Sequence, residues 1–458
     1  MSPADTSTTR KRVVDLQVLT TRLRVVLGMQ PPILEMRMTN ELSRIDAAWL
    51  RRFRSALRRW HTHNGRDLPW RNCRDPYKVW ISEIMLQQTT VVAVKPYFER
   101  FLKRFPNVAK LAAAHEEDVL KLWEGLGYYS RARNLRKAAQ VIVENGGEFP
   151  TSIEALLQLP GIGRYTAGAI VSFAFDRPAP ILEANTLRLY CRLLGFRADP
   201  RSTSGLRTLW SFAEKLVAEK SPGEFNQALM DLGATVCTPN DPRCDECPVA
   251  SCCRALAEQA QAEIPAPKRR PEITETREAY VAIEYAGLYL IYRRPEGQRW
   301  AGLWDFPRFE LPPNVSGERG GVSPPSNGKP SNPKRQRGSE MKTIHEPDSL
   351  AHASGYMSRR AVADAQRFLE RRIAAEFGPR VTITERLTQL KHSVTRYRIT
   401  LDCWLAESNG DDGLTTPHPT AWVAPSEFTR YPFSTTGREF AETLLRESKL
   451  FRPARRSS

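Results

Sequence analysis

Four cysteines have a spacing that can hold a metal group. The string CTPNDPRCDECPVASCC places them as Cys237-x6-Cys244-x2-Cys247-x5-Cys253. Four thiolates at such short intervals favour a metal cage over free thiols. Zinc and a [4Fe–4S] cluster both accept four cysteine ligands, and the residues alone leave the two open. Cys252 precedes the last of the four directly and is a competing ligand.

A carboxyl group at Glu83 is a candidate general acid. It lies in VWISEIMLQQTT, residues 79–90, whose pattern predicts a helix, and its neighbours include Trp80, Ile81 and Ile84. Burial beside an apolar stripe raises the pKa of a carboxyl group, and a carboxyl that stays protonated near neutral pH can donate a proton to a substrate. The alternative is a glutamate on a solvated helix face.

A second carboxyl group, Glu183, stands in the apolar string PILEANTLRL. One interpretation is a charge near a helix end, with Asn185 as the N-cap of a helix that begins at Thr186. The other is a second acidic group that acts in catalysis.

The string LPGIGRYTAGAI, Leu159–Ile170, predicts a helix, a Gly-x-Gly turn and a second helix. Gly161 and Gly163 permit a tight turn and a close backbone approach to a ligand. The N-terminus of the following helix offers free N–H groups and positive dipole charge, which suit a phosphate. An ordinary helical hairpin turn is the alternative.

Taken together, these strings resemble the endonuclease III superfamily of helix-hairpin-helix DNA glycosylases, and PYKVWISEIMLQQT resembles its adenine glycosylase (MutY) family. The resemblance implies a [4Fe–4S] cluster, rather than zinc, on the four cysteines. Endonuclease III-like relatives carry a nucleophilic lysine where this chain has Tyr165. Because a tyrosine cannot form an imine with the sugar, the resemblance implies a monofunctional glycosylase.

The same resemblance assigns catalytic roles. Glu83 matches the glutamate that protonates adenine and helps to activate water. Glu183 takes the place of the aspartate that stabilises the oxocarbenium-like sugar, and Asn185 matches the asparagine that follows it. Glu183 is longer than that aspartate by one methylene group, so we expect the pocket to compensate for its length.

Further matches concern the bases. The strings LPWR and FNQALMDLGA resemble adenine-pocket segments and implicate Arg71 and Gln227. Gln88 matches a residue that wedges into the base stack, while GLGYYSRARNL resembles the wedge on the lesion side, with Leu126 and Tyr128 near the base opposite adenine. An inserted side chain can fill the gap that an extruded base leaves.

The end of the chain resembles the Nudix-like domain of the family, which reads 8-oxoguanine. In LKHSVTRYRI, Val394, Thr395 and Arg396 stand where the family usually has an aromatic residue, serine and histidine, and Thr395 can keep the hydroxyl contact. The helix RFLERRIAAEFG lacks the carboxylate pattern of an active Nudix hydrolase. We therefore do not expect nucleotide hydrolysis.

Periodicity places these motifs on two domains. Apolar residues recur at helical spacing over 46–262, which predicts an all-α glycosylase domain after an N-terminal tail at 1–45. A Pro- and charge-rich linker spans 263–277. Strand-like strings and one amphipathic helix predict an α+β domain over 278–450, interrupted by a low-complexity, disordered insertion at about 312–357.

Composition favours a polyanionic partner, because the 458 residues carry a formal net charge of +17. Loose non-specific binding is the alternative. An uninterrupted apolar run of about 18 residues is absent, so we expect no membrane span. The stretch VVDLQVLTTRLRVVLGM is a poor signal-peptide core, which favours a location in the reducing cytosol. With a DNA partner, we expect a bacterial-type association with the nucleoid.

The sequence thus predicts a monomeric adenine DNA glycosylase that acts on duplex DNA at 8-oxoguanine·A or G·A mispairs. Two alternatives remain. A related mismatch glycosylase with another target base, such as thymine, can also carry tyrosine at the hairpin. A non-catalytic iron–sulfur DNA-binding protein is the other.

Overall fold

The computed structural model describes residues 45–71, 73–268, 272–312, 359–378, 380–408 and 416–450. The chain divides after Ala113, Arg133 and Arg269 into two compact units, so that residues 114–133 pack with the C-terminal residues. This division differs from the continuous domains predicted at 46–262 and 278–450. The predicted tail at 1–45 lies outside the described residues except for Ile45, and the predicted insertion at about 312–357 lies outside them except for its first residue.

The described elements of the first unit are helical. They are α1 Ala47–Asn64, α2 Pro76–Leu86, α3 Val91–Arg104, α4 Val108–Ala112, α6 Ser130–Glu144, α7 Ile153–Leu156, α8 Arg164–Phe173, α9 Ala184–Leu194, α10 Thr203–Leu216, α11 Pro222–Thr235 and α12 Arg254–Ala257, with a short 3₁₀ turn at Ala250–Cys252. Helix α6 begins within the second unit. Helix α5, Glu116–Trp123, belongs wholly to the second unit.

Helix α2 is the central element around which the candidate acid is placed. Asp75 caps it by accepting a hydrogen bond from the Tyr77 N–H at 2.9 Å, and Pro76 occupies the first turn, where its missing N–H costs nothing. Nearly every residue from Tyr77 to Met85 is buried. The helix ends at Leu86, earlier than the predicted 79–90, because Gln87 already has an extended backbone; Gln88 then adopts a left-handed one with φ of 61°.

The second unit contains a seven-stranded mixed sheet. Its elements are β1 Thr274–Tyr285, β2 Leu288–Arg293, β3 Trp304–Asp305, β4 Arg308–Glu310, α13 Arg359–Phe377, β5 Val381–Val394, β6 Tyr397–Ser408, β7 Thr420–Val423, a 3₁₀ turn at Pro425–Arg430 and α14 Thr435–Leu450. Strand β1 is central: it pairs in parallel with β6 and antiparallel with β2 and β4. It begins at Thr274, inside the predicted linker at 263–277.

Alternating side chains of β1 enter two apolar cores, one on each face of the sheet. Val281 and Ile283 pack with residues of α13, whereas Tyr280 and Ala282 pack with residues of α14. A strand that is buried on both faces reads as a continuous apolar run, as the string AYVAIEY does. The predicted fold class, an all-α domain followed by an α+β domain, is confirmed.

In the part of the chain that the structure describes, every helix is too short or too polar to cross a membrane.

Candidate active site

A cavity of about 550 Å³ in the helical unit brings together most of the residues predicted to act on adenine. Its walls come from α2, α8, α9 and α11, from the segment after α2 and from residues 66–71 before it. The predicted residues that line it are Arg71, Glu83, Gln88, Tyr165, Glu183, Asn185 and Gln227. The volume falls within the range of small-molecule sites, so it suits a single extruded base.

Glu83 is buried in the wall of this cavity, with 3% of its surface exposed. The Tyr165 O–H donates a hydrogen bond to Glu83 Oε2 at 2.5 Å. Burial raises the pKa of Glu83 to about 7; the Tyr165 bond opposes this rise, the charge of Glu183 adds to it, and Arg71 opposes it. A carboxyl group that is partly protonated near neutral pH is suited to general acid catalysis.

Tyr165 lies in the first turn of α8 and is positioned to orient Glu83. Burial, followed by the charges of Glu83 and Glu183, raises the pKa of Tyr165 well above its usual value. The side chain therefore remains a hydroxyl donor at neutral pH. It holds one carboxyl oxygen of Glu83 and leaves the other oxygen for a substrate.

Glu183 does lie at a helix end, as one interpretation had it, but Glu183 itself is the N-cap of α9, which begins at Ala184, and Asn185 is not. Its carboxylate accepts hydrogen bonds from the Asn185 N–H at 2.8 Å and from the Thr186 N–H at 2.9 Å. Thr186 Oγ1 accepts one in return from the Glu183 N–H at 2.8 Å, which completes a capping box. Asn185 instead accepts a hydrogen bond at Oδ1 from Arg188 at 3.0 Å.

Capping does not remove Glu183 from the cavity, because its side chain also lines the wall. Burial raises the pKa of Glu183, and the two backbone hydrogen bonds oppose that rise. Helix N-termini stabilise negative charge on a side chain. The two carboxyl groups thus have different hydrogen-bond donors: backbone N–H groups bind Glu183, whereas the phenol of Tyr165 binds Glu83.

Arg71 is held in the wall by a buried acid that sequence reasoning did not single out. Asp231 on α11 is fully buried and accepts hydrogen bonds from Arg71 Nη1 at 2.5 Å and Nη2 at 2.7 Å. Arg66 and His61 also contact it. Burial alone would raise the pKa of Asp231, but the close contact with His61 and the hydrogen bonds from Arg71 hold it well below its usual range. The sequence signal was available, since Asp231 interrupts the apolar string FNQALMDLGA.

The Gly-x-Gly turn lies between α7 and α8. Gly161 has φ of +77°, and a Cβ added there would meet Asn134 Cβ at 2.7 Å. Gly163 is the N-cap of α8 with φ of −96°, and an added Cβ would meet no described atom within 4 Å. Only Gly161 therefore needs the conformational freedom of glycine, while the open space beside Gly163 leaves room for a ligand.

Replacement of Gly161 by alanine should destabilise the helical unit by more than about 1 kcal/mol, because a left-handed backbone is forced on a residue with a Cβ. Gly163→Ala is the matched control and should cost only a fraction of that. Urea unfolding followed by circular dichroism measures both changes. Equal stability losses in the two variants would contradict the assignment of strain to Gly161.

A second cavity, of about 700 Å³, lies within the second unit. Tyr128 and Thr395 line it, together with Trp300 and His392. Tyr128 is 53% exposed, whereas Leu126 is buried at 7% and does not line the cavity. Of the two predicted lesion-side residues, the structure therefore presents only Tyr128. Thr395 forms the turn between β5 and β6, where its hydroxyl donates to the Val394 carbonyl at 2.7 Å.

The four predicted cysteine ligands line one small apolar cavity beside α9. The thiols are free, and Arg192 Nη1 donates to Cys237 Sγ at 3.3 Å. Burial raises the pKa of Cys247, and the charges of the three neighbouring cysteines add to the effect. Four thiolates are the donor type that the predicted cluster takes, so the residue types agree with it, whereas the arrangement of the side chains in the described part of the chain is not that of a metal site. Cys252 is buried outside this lining.

Among the residues that the structure describes, no group of three or more histidine, cysteine or acidic side chains is arranged to hold a metal ion.

Comparison with known proteins identifies the family. Residues 81–215 match the model of the HhH-GPD superfamily of base excision DNA repair proteins. Adenine DNA glycosylase of Mus musculus is 41% identical over 322 residues, which cover 59% of this chain and 62% of the mouse protein. Adenine DNA glycosylase of Buchnera aphidicola subsp. Schizaphis graminum is 42% identical over 260 residues, 56% of this chain and 75% of that protein.

A solved thermostable thymine-DNA glycosylase is 31% identical, with a TM-score of 0.43 over 46% of this chain and all of that one. Among the two adenine DNA glycosylases, the aligned region covers less than two thirds of the mouse protein but three quarters of the Buchnera protein. With 42% identity over that share, this chain belongs to the adenine DNA glycosylase family.

Proposed function

We propose that this protein is a monofunctional DNA glycosylase that hydrolyses the N-glycosidic bond of adenine mispaired with 8-oxoguanine or guanine in duplex DNA, a step of base excision repair. One observation carries the proposal: Glu83 and Glu183, two acidic groups with different hydrogen-bond partners, line the same cavity. Cleavage of a glycosidic bond needs an acid at the leaving group and a negative charge at the sugar.

In this mechanism the adenine is extruded from the duplex into the cavity. Glu83 donates its proton to a ring nitrogen of the base, which can then leave without a negative charge. As the C–N bond breaks, the positive charge that develops on the sugar is stabilised by the carboxylate of Glu183. Water then adds to the sugar and gives up a proton to the Glu83 carboxylate, which restores the acid and leaves free adenine and an abasic site.

Other residues of the cavity position the base. Arg71 lines the cavity with a guanidinium that is held by hydrogen bonds to Asp231. The Gln227 amide offers both a donor and an acceptor to an edge of the adenine. Asn185, held by Arg188, stands beside Glu183. Exposed Gln88, at the rim of the cavity, is suited to fill the gap left in the base stack.

The second cavity is the proposed site for the base opposite adenine. Tyr128 offers an exposed aromatic face for stacking, and Thr395 offers a hydroxyl oxygen as a hydrogen-bond acceptor. The turn at Gly161 and Gly163 is the proposed contact with a DNA phosphate. The net charge of +17 supports a DNA partner.

Cys237, Cys244, Cys247 and Cys253 are the proposed ligands of a [4Fe–4S] cluster. When bound, such a cluster supplies bonds that cross-link the loop, and it need not take part in the hydrolysis. Arg192 ties this loop to α9, since it donates to Cys237 Sγ and also to the Thr238 carbonyl at 2.7 Å.

Cys244→Ser should lower the iron and sulfide bound per chain and should destabilise the helical unit, because a ligand is lost. Cys252→Ser is the control, since Cys252 does not line the cavity, and it should retain the full complement. Chemical analysis of iron and sulfide, with thermal unfolding, measures both. If only the Cys252 variant lost iron, Cys252 rather than Cys244 would be a ligand.

Single-turnover assays on three duplexes test the proposed activity. Protein in excess would be incubated with 8-oxoguanine·A, G·A and G·T duplexes labelled on either strand. Each sample would then be divided in two, and only one half treated with alkali before the strands are analysed. We expect breakage at adenine, and only after alkali because Tyr165 cannot act as a lyase nucleophile. Breakage at thymine would favour the alternative target base. Tight binding without breakage would favour a non-catalytic DNA-binding protein.

A further inference from the structure

The loop that carries Tyr128 has an unusual backbone. Gly125, Gly127 and Tyr128 all have positive φ, at 97°, 69° and 48°. For tyrosine this conformation is strained, and it persists only where the surroundings hold it. Arg131 braces the loop from its C-terminal side by donating to the Leu126 and Gly127 carbonyls, each at 3.1 Å.

On its N-terminal side the loop is anchored by an ion pair. Glu124, the C-cap of α5, accepts hydrogen bonds from Arg438 Nε at 2.6 Å and Arg438 Nη2 at 3.1 Å. Arg438 also donates to the Phe428 carbonyl at 2.9 Å and the Tyr431 carbonyl at 2.7 Å. The exposed fractions of the two side chains are only 15% and 20%, so this two-point pair is less weakened by solvent than a surface pair.

Arg438 does not line the second cavity itself, but residues next to it in the chain do. It lies in the first turn of α14, and its neighbours Thr435, Thr436 and Glu439 line the cavity that Tyr128 lines. The ion pair therefore joins the Tyr128 loop to the helix turn of the same cavity.

We propose that Glu124 and Arg438 are positioning residues that hold Tyr128 in the second cavity and thereby set the discrimination between 8-oxoguanine and guanine opposite adenine. This inference rests on the proposed function of that cavity. The pair touches no base itself and acts only through the tyrosine loop.

The test uses the full-length protein in a double-mutant cycle with Glu124→Gln, Arg438→Gln and the double variant. The measured quantity is the ratio of single-turnover rates on 8-oxoguanine·A and G·A duplexes. Since misplacing a contact by about 1 Å can cost about a hundredfold in rate, we expect each single variant to lower this ratio by about tenfold. The loss in the double variant should be smaller than the product of the two single losses, because both single variants already remove the same ion pair. Arg438→Lys keeps the charge but not the two-point geometry, so its rate ratio should lie between those of the unmodified protein and Arg438→Gln.

Arg367→Gln is the matched control, because it breaks an exposed Arg367–Asp364 pair on α13 and should leave the ratio unchanged. An unchanged ratio in the Glu124 and Arg438 variants, or equal rate losses on both duplexes, would overturn the proposal. Hydrogen exchange of residues 125–131 gives a readout that needs no activity. If the unmodified protein excises no adenine, the proposed function fails, and faster exchange in Glu124→Gln supports the positioning role, whereas unchanged exchange refutes it.

Discussion

Glu83→Gln should abolish adenine excision while leaving the protein folded and able to bind the mispaired duplex. The amide has nearly the same shape as the carboxyl group and can still accept the Tyr165 hydrogen bond, but its N–H groups are far too weakly acidic to protonate the leaving base. General acid catalysis contributes about 10²- to 10⁴-fold in rate, so we expect a loss of at least about a hundredfold. Single-turnover excision at saturating protein measures the loss, and a gel-shift titration measures the affinity.

The pH profile provides an independent check on the same group. Because Glu83 must be protonated to donate, and burial raises its pKa to about 7, the rate should fall as pH rises through about 7. The Tyr165 hydrogen bond lowers that pKa, so Tyr165→Phe should move the fall to higher pH. A rate in the unmodified protein that rises through neutral pH, or a Glu83→Gln variant with normal excision, would contradict the assignment of Glu83 as the acid.

The sequence contained enough information to place Glu83 on a buried helix. The apolar residues around it predicted a helix with an apolar stripe, and the structure buries nearly every residue of that helix from Tyr77 to Met85. The end of that helix was not predicted, because the string up to Thr90 contains no glycine or proline to mark it, whereas in the structure the chain leaves the helix at Gln87 and Gln88. The two domains were likewise visible as a change from helical to strand periodicity.

Long-range ion pairs were beyond the reach of sequence patterns. Asp231 is bound by Arg66 and Arg71, which lie about 160 positions earlier, and Glu124 is bound by Arg438, 314 positions later. Such pairs leave no local periodicity, so neither the anchor behind Arg71 nor the packing of residues 114–133 with the second unit was predicted. Both depend on which elements the fold brings together.

The N-cap of α9 was assigned from residue preference alone, and this selected the wrong residue. Asparagine is among the preferred N-cap residues and glutamate is not, so residue preference selected Asn185. In the structure the longer side chain of Glu183 reaches the Asn185 and Thr186 N–H groups, and Asn185 turns to Arg188. The helix-end and catalytic interpretations of Glu183, set against each other in the sequence, are therefore compatible in one position.

Glu183→Gln should lower the excision rate by about 10²- to 10³-fold, which is typical for loss of one group that stabilises transition-state charge. The amide oxygen can still accept one backbone hydrogen bond, so the helix cap is weakened rather than removed. The expected stability loss is therefore at most about 1 kcal/mol, the usual value for a lost cap. Single-turnover kinetics and urea unfolding, measured on the same preparation, separate the two effects.

Glu183→Asp separates position from charge. Aspartate is a good N-cap and keeps the negative charge, so the fold and the cap should be retained. Its carboxylate is withdrawn from the cavity by about one carbon–carbon bond, about 1.5 Å. Since a misplacement of about 1 Å can cost about a hundredfold, we expect a clear loss of rate at unchanged stability. A sharp rise in the rate of the aspartate variant, or an unchanged rate in the glutamine variant, would show that the pocket is not built around the glutamate.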